Sequence, residues 1–283
     1  MNSIAYFIQH ANHQLMATLG LNKSDALSEA RLILQKGLGV DRSWLIAHEN
    51  DLLESDRLIP VDVMLQRRLC GEPMAYIFGF REFYGLRLKV SPATLIPRPD
   101  TETLVEAGLQ KIPIDATWNI LDLGIGTGAV SLAIAKHRLK SNVIGVDASP
   151  EALAVAIENA QNLDLANVHF FESNWFSSLV GRKFDVIVSN PPYIAEEDCH
   201  LTQGDLRFEP RSALVSGFDG LDDIRRIIQD APHYLKPNGW LMLEHGYDQA
   251  HSVASLLKGH GFSKIDSAQD LAGILRVTFG SIA

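Results

Sequence analysis

Cysteine is nearly absent: Cys70 and Cys199 are the only two in 283 residues. Two thiols cannot build a disulfide framework, and neither a C-x-x-C nor an H-E-x-x-H spacing occurs. Disulfide scaffolds and the common zinc sites are therefore excluded, and a reducing compartment is expected. Long apolar runs are missing too; none reaches the roughly 18 residues a membrane span needs. Residues 1–22 hold no Lys or Arg, and Gln9, His10, Asn12 and His13 interrupt any apolar segment there. No signal peptide is expected, and the chain reads as cytoplasmic. Positive charge is in deficit, with 25 Lys and Arg against 34 Asp and Glu and a formal net charge of -9. A partner held by bulk attraction to phosphates is disfavoured. What remains is ordinary globular material, 46% hydrophobic and 21% charged, with 21 Gly and 12 Pro. A chain of this length suggests about two domains.

The pattern of the first seventy residues is helical. Ile4, Ile8, Ala11, Leu15 and Leu19 make one apolar stripe. A second helix is expected from a cap at Ser24 or Asp25 to Gly37 or Gly39, a short one near residues 44–48, and a fourth from Pro60, placed at its first position, to Leu69. Residues 1–72 thus predict an all-α bundle. Residues 73–96 are aromatic and β-branched, with Leu86, Leu88 and Val90 alternating with Arg87 and Lys89, and predict a linking β-hairpin. From 97 to 283, strand-like and helix-like runs alternate. The expected fold class is α/β, a doubly wound and mainly parallel sheet with helices on both faces. The last two strands have no helix between them, so one is expected to be antiparallel. Residues 237–239, Pro-Asn-Gly, are expected to close the helix that precedes the fifth strand.

Between the first strand and its helix lies Asp122-Leu123-Gly124-Ile125-Gly126-Thr127-Gly128-Ala129. Glycines in such a loop permit a tight turn and close approach of backbone to ligand. Asp147 ends the next strand, about 20 residues on, where a carboxylate can hold ribose hydroxyls. Gly124, Gly126 and Ala129 satisfy a dinucleotide fingerprint, which would make a nicotinamide-dependent oxidoreductase. Asp122, Gly124, Gly126 and Gly128 instead resemble the S-adenosylmethionine loop of class I methyltransferases. A carboxylate at Asp122 would repel a pyrophosphate and attract the amine and sulfonium of S-adenosylmethionine.

Directly after the strand-like run at 185–189 come Asn190-Pro191-Pro192-Tyr193. Prolines cannot continue the strand or donate an N–H, so their carbonyls are rigid free acceptors. Asn190 adds a side-chain carbonyl and Tyr193 a flat face with a hydroxyl. The set suits a planar amino group whose lone pair is delocalised. Acceptors at Asn190 and Pro191 can hold both N–H bonds and turn the lone pair toward a methyl donor. Adenine N6, cytosine N4 and a glutamine amide all fit, so a nucleic-acid adenine-N6 methyltransferase is the competing reading.

Further segments narrow the choice. They are Ala75-Tyr-Ile-Phe-Gly79, Phe83-Tyr-Gly85, Leu95-Ile-Pro-Arg-Pro-Asp-Thr-Glu102, Phe208-Glu-Pro210, Asp219-Gly-Leu-Asp222 and Leu243-Glu-His-Gly246. With Asn190-Pro-Pro-Tyr193, they resemble the PrmC/HemK-type release factor glutamine methyltransferases over nearly the whole chain. The resemblance implies methyl transfer from S-adenosylmethionine to N5 of the glutamine in the Gly-Gly-Gln motif of peptide chain release factors. It implies that protein as the partner; a monomer with no nucleic acid or membrane partner is expected. Asp122, Gly124, Ile125, Gly126, Thr127 and Gly128 are implied to hold the methionine end of the cofactor, Asp147 its ribose, and Trp175 to lie beside the adenine. Asn190 is implied to touch both cofactor and substrate, with Pro191, Pro192 and Tyr193 completing the glutamine pocket.

Other residues have more modest expected roles. Arg98 is a candidate substrate contact, balanced against anchoring its own loop. Asp100 and Glu102 fit a helix cap and first-turn acid, Glu209 a loop anchor and His245 a hydrogen-bonded structural residue. Cys70 is expected to be buried. Two positions depart from the family pattern: Ile125, bulkier than usual, and Ile274-Leu275 after Asp270-Leu-Ala-Gly273.

Overall fold

The computed structural model describes residues 3–283. It resolves into two compact units, one made of the chain up to Gly79 with Gln203–Phe208, the other of Phe80–Thr202 with Glu209–Ala283.

In the first unit, helix α1 (Ile4–Leu19) starts at Ser3, whose side chain accepts from the Tyr6 N–H, and stops at Gly20. Helix α2 (Lys23–Leu38) is capped by Asn22, earlier than Ser24 or Asp25, because the Asn22 side chain reaches the Asp25 N–H. A short α3 (Arg42–Ala47) follows. Helix α4 (Ser55–Leu69) begins before Pro60, so Pro60 lies inside it and not at its first position. The proline is tolerated there because it falls on the solvent face, where water can satisfy the carbonyl left without a donor. Cys70 is exposed, contrary to expectation: the buried face of α4 runs through Val61, Leu65 and Arg68, out of phase with it. Phe7, Leu15, Ile33, Leu34, Val61 and Leu65 form the core. Arg68 is buried and pairs with Glu29 at 2.7 Å; it also reaches Asp205 at 3.5 Å, which ties the 203–208 segment to these helices.

Residues 74–78 correct another expectation, for they form helix α5 (Met74–Phe78) and not a strand. Pro73 opens that turn, Gly79 ends it in the left-handed region, and Tyr76 and Ile77 are buried. The hairpin is shorter than expected: β1 (Phe80–Phe83) pairs antiparallel with β2 (Leu86–Lys89). Its two turn residues, Tyr84 and Gly85, both have positive φ, as tight hairpin turns require.

The second unit is built on a seven-stranded sheet. Its strands are β3 (Asn119–Leu123), β4 (Asn142–Asp147), β5 (Val168–Glu172), β6 (Phe184–Ser189), β7 (Leu235–Glu244), β8 (Ser263–Gln269) and β9 (Leu275–Ser281). The spatial order is β5-β4-β3-β6-β7-β9-β8. The first five neighbours are parallel, and β9 runs antiparallel to both β7 and β8. Side chains alternate across the sheet. Ile120, Val143, Val186, Val188 and Met242 face α6 (Glu102–Lys111) and α7 (Ala129–His137). Leu121, Ile144, Ile187 and Leu241 face α9 (Asp222–Asp230) and α10 (Ala250–Gly259). Burial on both faces accounts for the near-continuous apolar strands. Pro237-Asn238-Gly239 does not close a helix but lies within β7, where the pairing with β6 slips between Phe184 and Val186; Asn238 takes a positive φ there.

Register explains where the chemistry sits. Val146, Leu123, Ser189 and Leu243 are successive partners on β4, β3, β6 and β7. One residue further, Asp147, Gly124, Asn190 and Glu244 therefore end their strands at one level of the carboxyl edge. Strand order reverses here: from β3 the chain goes to β4 on one side and later returns to β6 on the other. Such a switch point opens the ligand crevice of an α/β sheet.

Candidate active site

The crevice has a volume of about 640 Å³ and is lined by the glycine loop, Asp147, Trp175, Asn190, Pro192 and the segment after the hairpin. Pockets for small organic ligands span about 300–1,000 Å³, so it can take one nucleoside joined to an amino acid.

Gly124, Gly126 and Gly128 have φ of 72°, 52° and 80°, the left-handed region where a side chain costs about 1–2 kcal/mol. Three such residues in five let the backbone turn back over the end of β4: the Gly124 and Ile125 N–H groups both donate to the Val146 carbonyl, at 2.9 and 3.2 Å. A Cβ on Gly124 would stand 3.3 Å from the Trp175 ring, so the loop and the indole pack closely on the crevice wall. Ile125 fits for a physical reason. Its side chain is buried under the loop with Leu153, Ala156 and Phe170, and Gly145 on β4 makes room for it. Thr127 is buried as well, and its carbonyl accepts from Asn159 Nδ2 at 3.0 Å. Asn159, on helix α8 (Pro150–Asn162), also bonds both backbone groups of Lys89 in the hairpin. A single buried amide thus joins the hairpin to the glycine loop, a role no local motif announces.

Asp147 ends β4 with both carboxylate oxygens engaged. Oδ2 accepts from the Gly126 N–H and Oδ1 from the Ser149 N–H, each at 2.9 Å. It therefore shapes the loop as well as facing the crevice. Asp122 is fully buried and accepts from both the N–H and the hydroxyl of Ser131, at 3.0 and 2.5 Å. Burial raises its pKa to about 7, against the lowering effect of the Ser131 hydrogen bonds. A cation in the crevice would offset that burial penalty.

Asn190 follows β6, and its Nδ2 donates to the Thr101 hydroxyl at 3.2 Å. Pro192 lines the crevice, whereas Pro191 and Tyr193 are not on its wall. The Tyr193 hydroxyl donates to Glu244 Oε1 at 3.3 Å, and its carbonyl accepts from Gln249 Nε2 at 3.0 Å. Burial pushes the Tyr193 hydroxyl well above the usual tyrosine pKa, so it stays protonated and can donate. Burial also raises Glu244 to about 7, and the Thr101 and Tyr193 hydrogen bonds oppose the shift.

Arg98 is paired with Glu209, whose carboxylate is fully buried and also accepts from the Ile96 N–H at 3.1 Å. The ion pair fixes residues 96–98 against the loop that opens at Glu209. His245 is buried, with Nε2 2.8 Å from the Thr278 hydroxyl, and burial lowers its pKa. Asp270 folds its own turn, accepting from the Ala272 and Ile274 N–H groups and from Arg276 at 2.9 Å. The apolar pair Ile274-Leu275 thus sits in a self-bonded turn whose Arg276 also reaches Asp100 at 3.0 Å.

Several crevice residues escaped the sequence reading, among them Pro92, Thr94, Ser149, Asn174, Ser212 and Arg226. The segment around Thr101 carries a signal, its Pro-Arg-Pro-Asp-Thr-Glu run, from which sequence reasoning singles out Arg98, Asp100 and Glu102 but not Thr101. Pro92, Thr94 and Asn174 lie outside helices and strands, with no periodicity to read, whereas Arg226 lies on α9 and Ser149 caps α8.

Residues 8–79 match the family model described as PrmC N-terminal domain, and residues 114–271 match one described as Methyltransferase domain. A release factor glutamine methyltransferase of Vibrio cholerae is 51% identical over 253 residues, 89% of this chain and 88% of that protein. One of Escherichia coli is 43% identical over 272 residues, 96% of this chain and 98% of that protein. Among solved structures, a methyltransferase of Pyrococcus furiosus aligns with a TM-score of 0.54 at 18% identity, covering 76% of this chain and 96% of that one, which is a likeness of fold.

Proposed function

This chain belongs to the release factor glutamine methyltransferases, and we propose that its crevice methylates N5 of the glutamine in the Gly-Gly-Gln motif of peptide chain release factors. The observation that carries the reading is the shared level of Asp147, Gly124 and Asn190 at the carboxyl edge of three adjacent strands. Cofactor-holding and amide-holding groups then face one crevice.

S-adenosylmethionine fits the residues present. The crevice offers carboxylates at Asp122 and Asp147 and an indole at Trp175, with a backbone cradle that glycine leaves open. Asp147 would hold the ribose, Trp175 the adenine, and residues 124–128 with Asp122 the cationic methionine end. When bound, the cofactor supplies an electrophilic methyl on its sulfonium. The protein must then orient a nucleophile that cannot orient itself, because an amide lone pair is delocalised; the resonance is reflected in the roughly 18–20 kcal/mol rotation barrier. Asn190 Oδ1, on the crevice wall, would accept one N–H of the substrate amide, and the carbonyl of the adjoining Pro191, set back from that wall, would accept the other as the amide is seated beside Asn190. They fix its plane and favour density on nitrogen as the C–N bond loses double-bond character. Neither Pro191 nor Pro192 has an N–H, so this turn offers the substrate amide acceptors and no competing backbone donors. Tyr193 supports this loop through its hydroxyl and carbonyl bonds.

The helical unit would supply affinity for a folded release factor, since one glutamine on a loop offers few contacts. Its α4 carries Ile59 and Val63 one turn apart, 60% and 55% exposed. We assign the protein to the cytoplasm, where release factors act. Among the described residues no helix is long and apolar enough to cross a membrane. Incubating the protein with S-adenosylmethionine and a purified release factor, followed by peptide mass spectrometry, tests the reading. One methyl on the Gly-Gly-Gln peptide is expected, and methylation of DNA or RNA with an unmodified release factor would overturn it.

A further inference from the structure

We propose that Thr101 is a positioning residue that sets which end of the Asn190 amide meets the substrate, with Glu244 holding the Thr101 hydroxyl in the required sense. The inference rests on the proposed glutamine chemistry at Asn190. It concerns the threonine of the Pro-Arg-Pro-Asp-Thr-Glu run, for which that chemistry leaves no task.

An asparagine amide has a donor end and an acceptor end of nearly equal shape. Only the acceptor end can take an N–H of a substrate amide; turned over, its NH₂ would face another NH₂. Something must select the orientation before the substrate arrives. Thr101 is buried and lines the crevice. Asn190 Nδ2 donates to its Oγ1 at 3.2 Å, which leaves Oδ1 as the end available to the crevice. A threonine hydroxyl has one proton. If that proton were free to point at Asn190, the opposite orientation would be equally satisfied.

Glu244 removes this ambiguity. It ends β7 at the same level at which Asn190 leaves β6, since Ser189 pairs with Leu243. Its carboxyl is buried and stands within hydrogen-bonding influence of the Thr101 hydroxyl. Oε1 accepts from Tyr193, and Oε2 is buried with no hydrogen-bond partner among the described residues, so this oxygen is the acceptor left open to the Thr101 proton. With burial raising its pKa to about 7, Glu244 is ionised above that pH; an ionised carboxylate can only accept, so above about pH 7 Thr101 donates to it and must accept from Asn190. The polarity then runs one way, from Asn190 through Thr101 to Glu244. Glu244 also receives the Tyr193 hydroxyl, so one buried carboxylate supports both ends of the Asn-Pro-Pro-Tyr turn.

The test compares wild type, Thr101→Val and Thr101→Ser in the full chain. Valine keeps the shape and deletes the hydroxyl; serine restores it. Thr101→Val should lower kcat on the release factor about 100-fold, the scale of a mispositioned reacting group. KM for the release factor and the dissociation constant for S-adenosylmethionine should stay within about 3-fold. Thr101→Ser should recover most of kcat. In NMR spectra of the cofactor-free protein, the Asn190 side-chain amide protons, assigned by their loss in Asn190→Ala, should exchange with water faster in Thr101→Val than in wild type or Thr101→Ser. Unchanged kcat in Thr101→Val, an equal loss in valine and serine variants, or unaltered exchange would each overturn the inference. Should valine prevent folding, a serine variant whose Asn190 amide exchanges faster than in wild type, or whose kcat is lowered, would overturn it by itself. A wild-type protein that leaves the release factor unmethylated would count instead against the glutamine reading.

Discussion

Asp147→Ala separates two jobs that one carboxylate performs. The side chain accepts the Gly126 and Ser149 N–H groups, one on each oxygen. An ionised carboxylate has about four acceptor positions, so two remain for a ribose diol. Hydrogen bonds to a charged group contribute about 1.5–3 kcal/mol. Losing the ribose contact should therefore weaken S-adenosylmethionine binding about 10- to 150-fold, at about 1.4 kcal/mol per decade. Loss of the Gly126 bond adds to this, because a loosened glycine loop must be ordered again on binding. Calorimetry with S-adenosylmethionine and with an analogue lacking both ribose hydroxyls isolates the direct contact. Wild type should prefer the natural cofactor by that 10- to 150-fold, and Asp147→Ala should bind the two almost equally. If the variant binds both weakly but keeps the full preference, Asp147 acts only on the loop and the ribose assignment is wrong.

Asn190→Ala should lower kcat about 1,000-fold, since the nucleophile loses its orientation, while S-adenosylmethionine affinity by calorimetry weakens far less. Activity within a few-fold of wild type would refute the orientation model. The raised pKa of Asp122, about 7, means the folded protein holds a proton that the unfolded chain releases near the ordinary carboxylate value of about 3.9. The stability tied to that proton is present below about pH 4 and is lost as pH rises toward 7. Glu244, also about 7, acts in the same direction. Scanning calorimetry without cofactor should show a melting temperature that falls over this window, less steeply in Asp122→Asn; an identical slope would show that Asp122 is ionised throughout. Replacing the exposed Ile59 and Val63 together by lysine should raise KM for an intact release factor about 10-fold and leave cofactor affinity and melting temperature unchanged. An unmoved KM would place recognition away from this face of α4.

The strand–helix alternation and the chemistry at strand ends were legible because both follow from short-range rules. Buried parallel strands read as apolar runs, and the left-handed turns after β3 demand the glycines seen there. The errors arose where long-range packing decides. Tyr76-Ile77-Phe78 is β-like in composition, yet Pro73 and Gly79 frame a helical turn whose aromatic and aliphatic side chains are buried. Pro237-Asn238-Gly239 reads as a helix stop, yet it forms an irregularity inside β7. At the site, Asp147 and Asn190 were readable from their positions at strand ends. Asn159 and Thr101 were not, because each acts through a partner distant in sequence: Asn159 on Thr127 and Lys89, and Thr101 on Asn190. Glu209 was readable as a loop anchor, but its partners Ile96 and Arg98 were not. The charge of Arg98 suggested a substrate contact, but its ion pair with a buried carboxylate favours the anchoring role.

Two acceptors, Asn190 Oδ1 and the Pro191 carbonyl, are proposed to hold the substrate amide nitrogen. The most direct measurement is a crystal structure of the protein with S-adenosylhomocysteine and a peptide carrying Gly-Gly-Gln. The glutamine N5 should stand about 2.7–3.2 Å from both oxygens, with Asn190 Nδ2 still on the Thr101 hydroxyl. A glutamine seated with its carbonyl toward Asn190, or with N5 beyond hydrogen-bond reach of either acceptor, would contradict it.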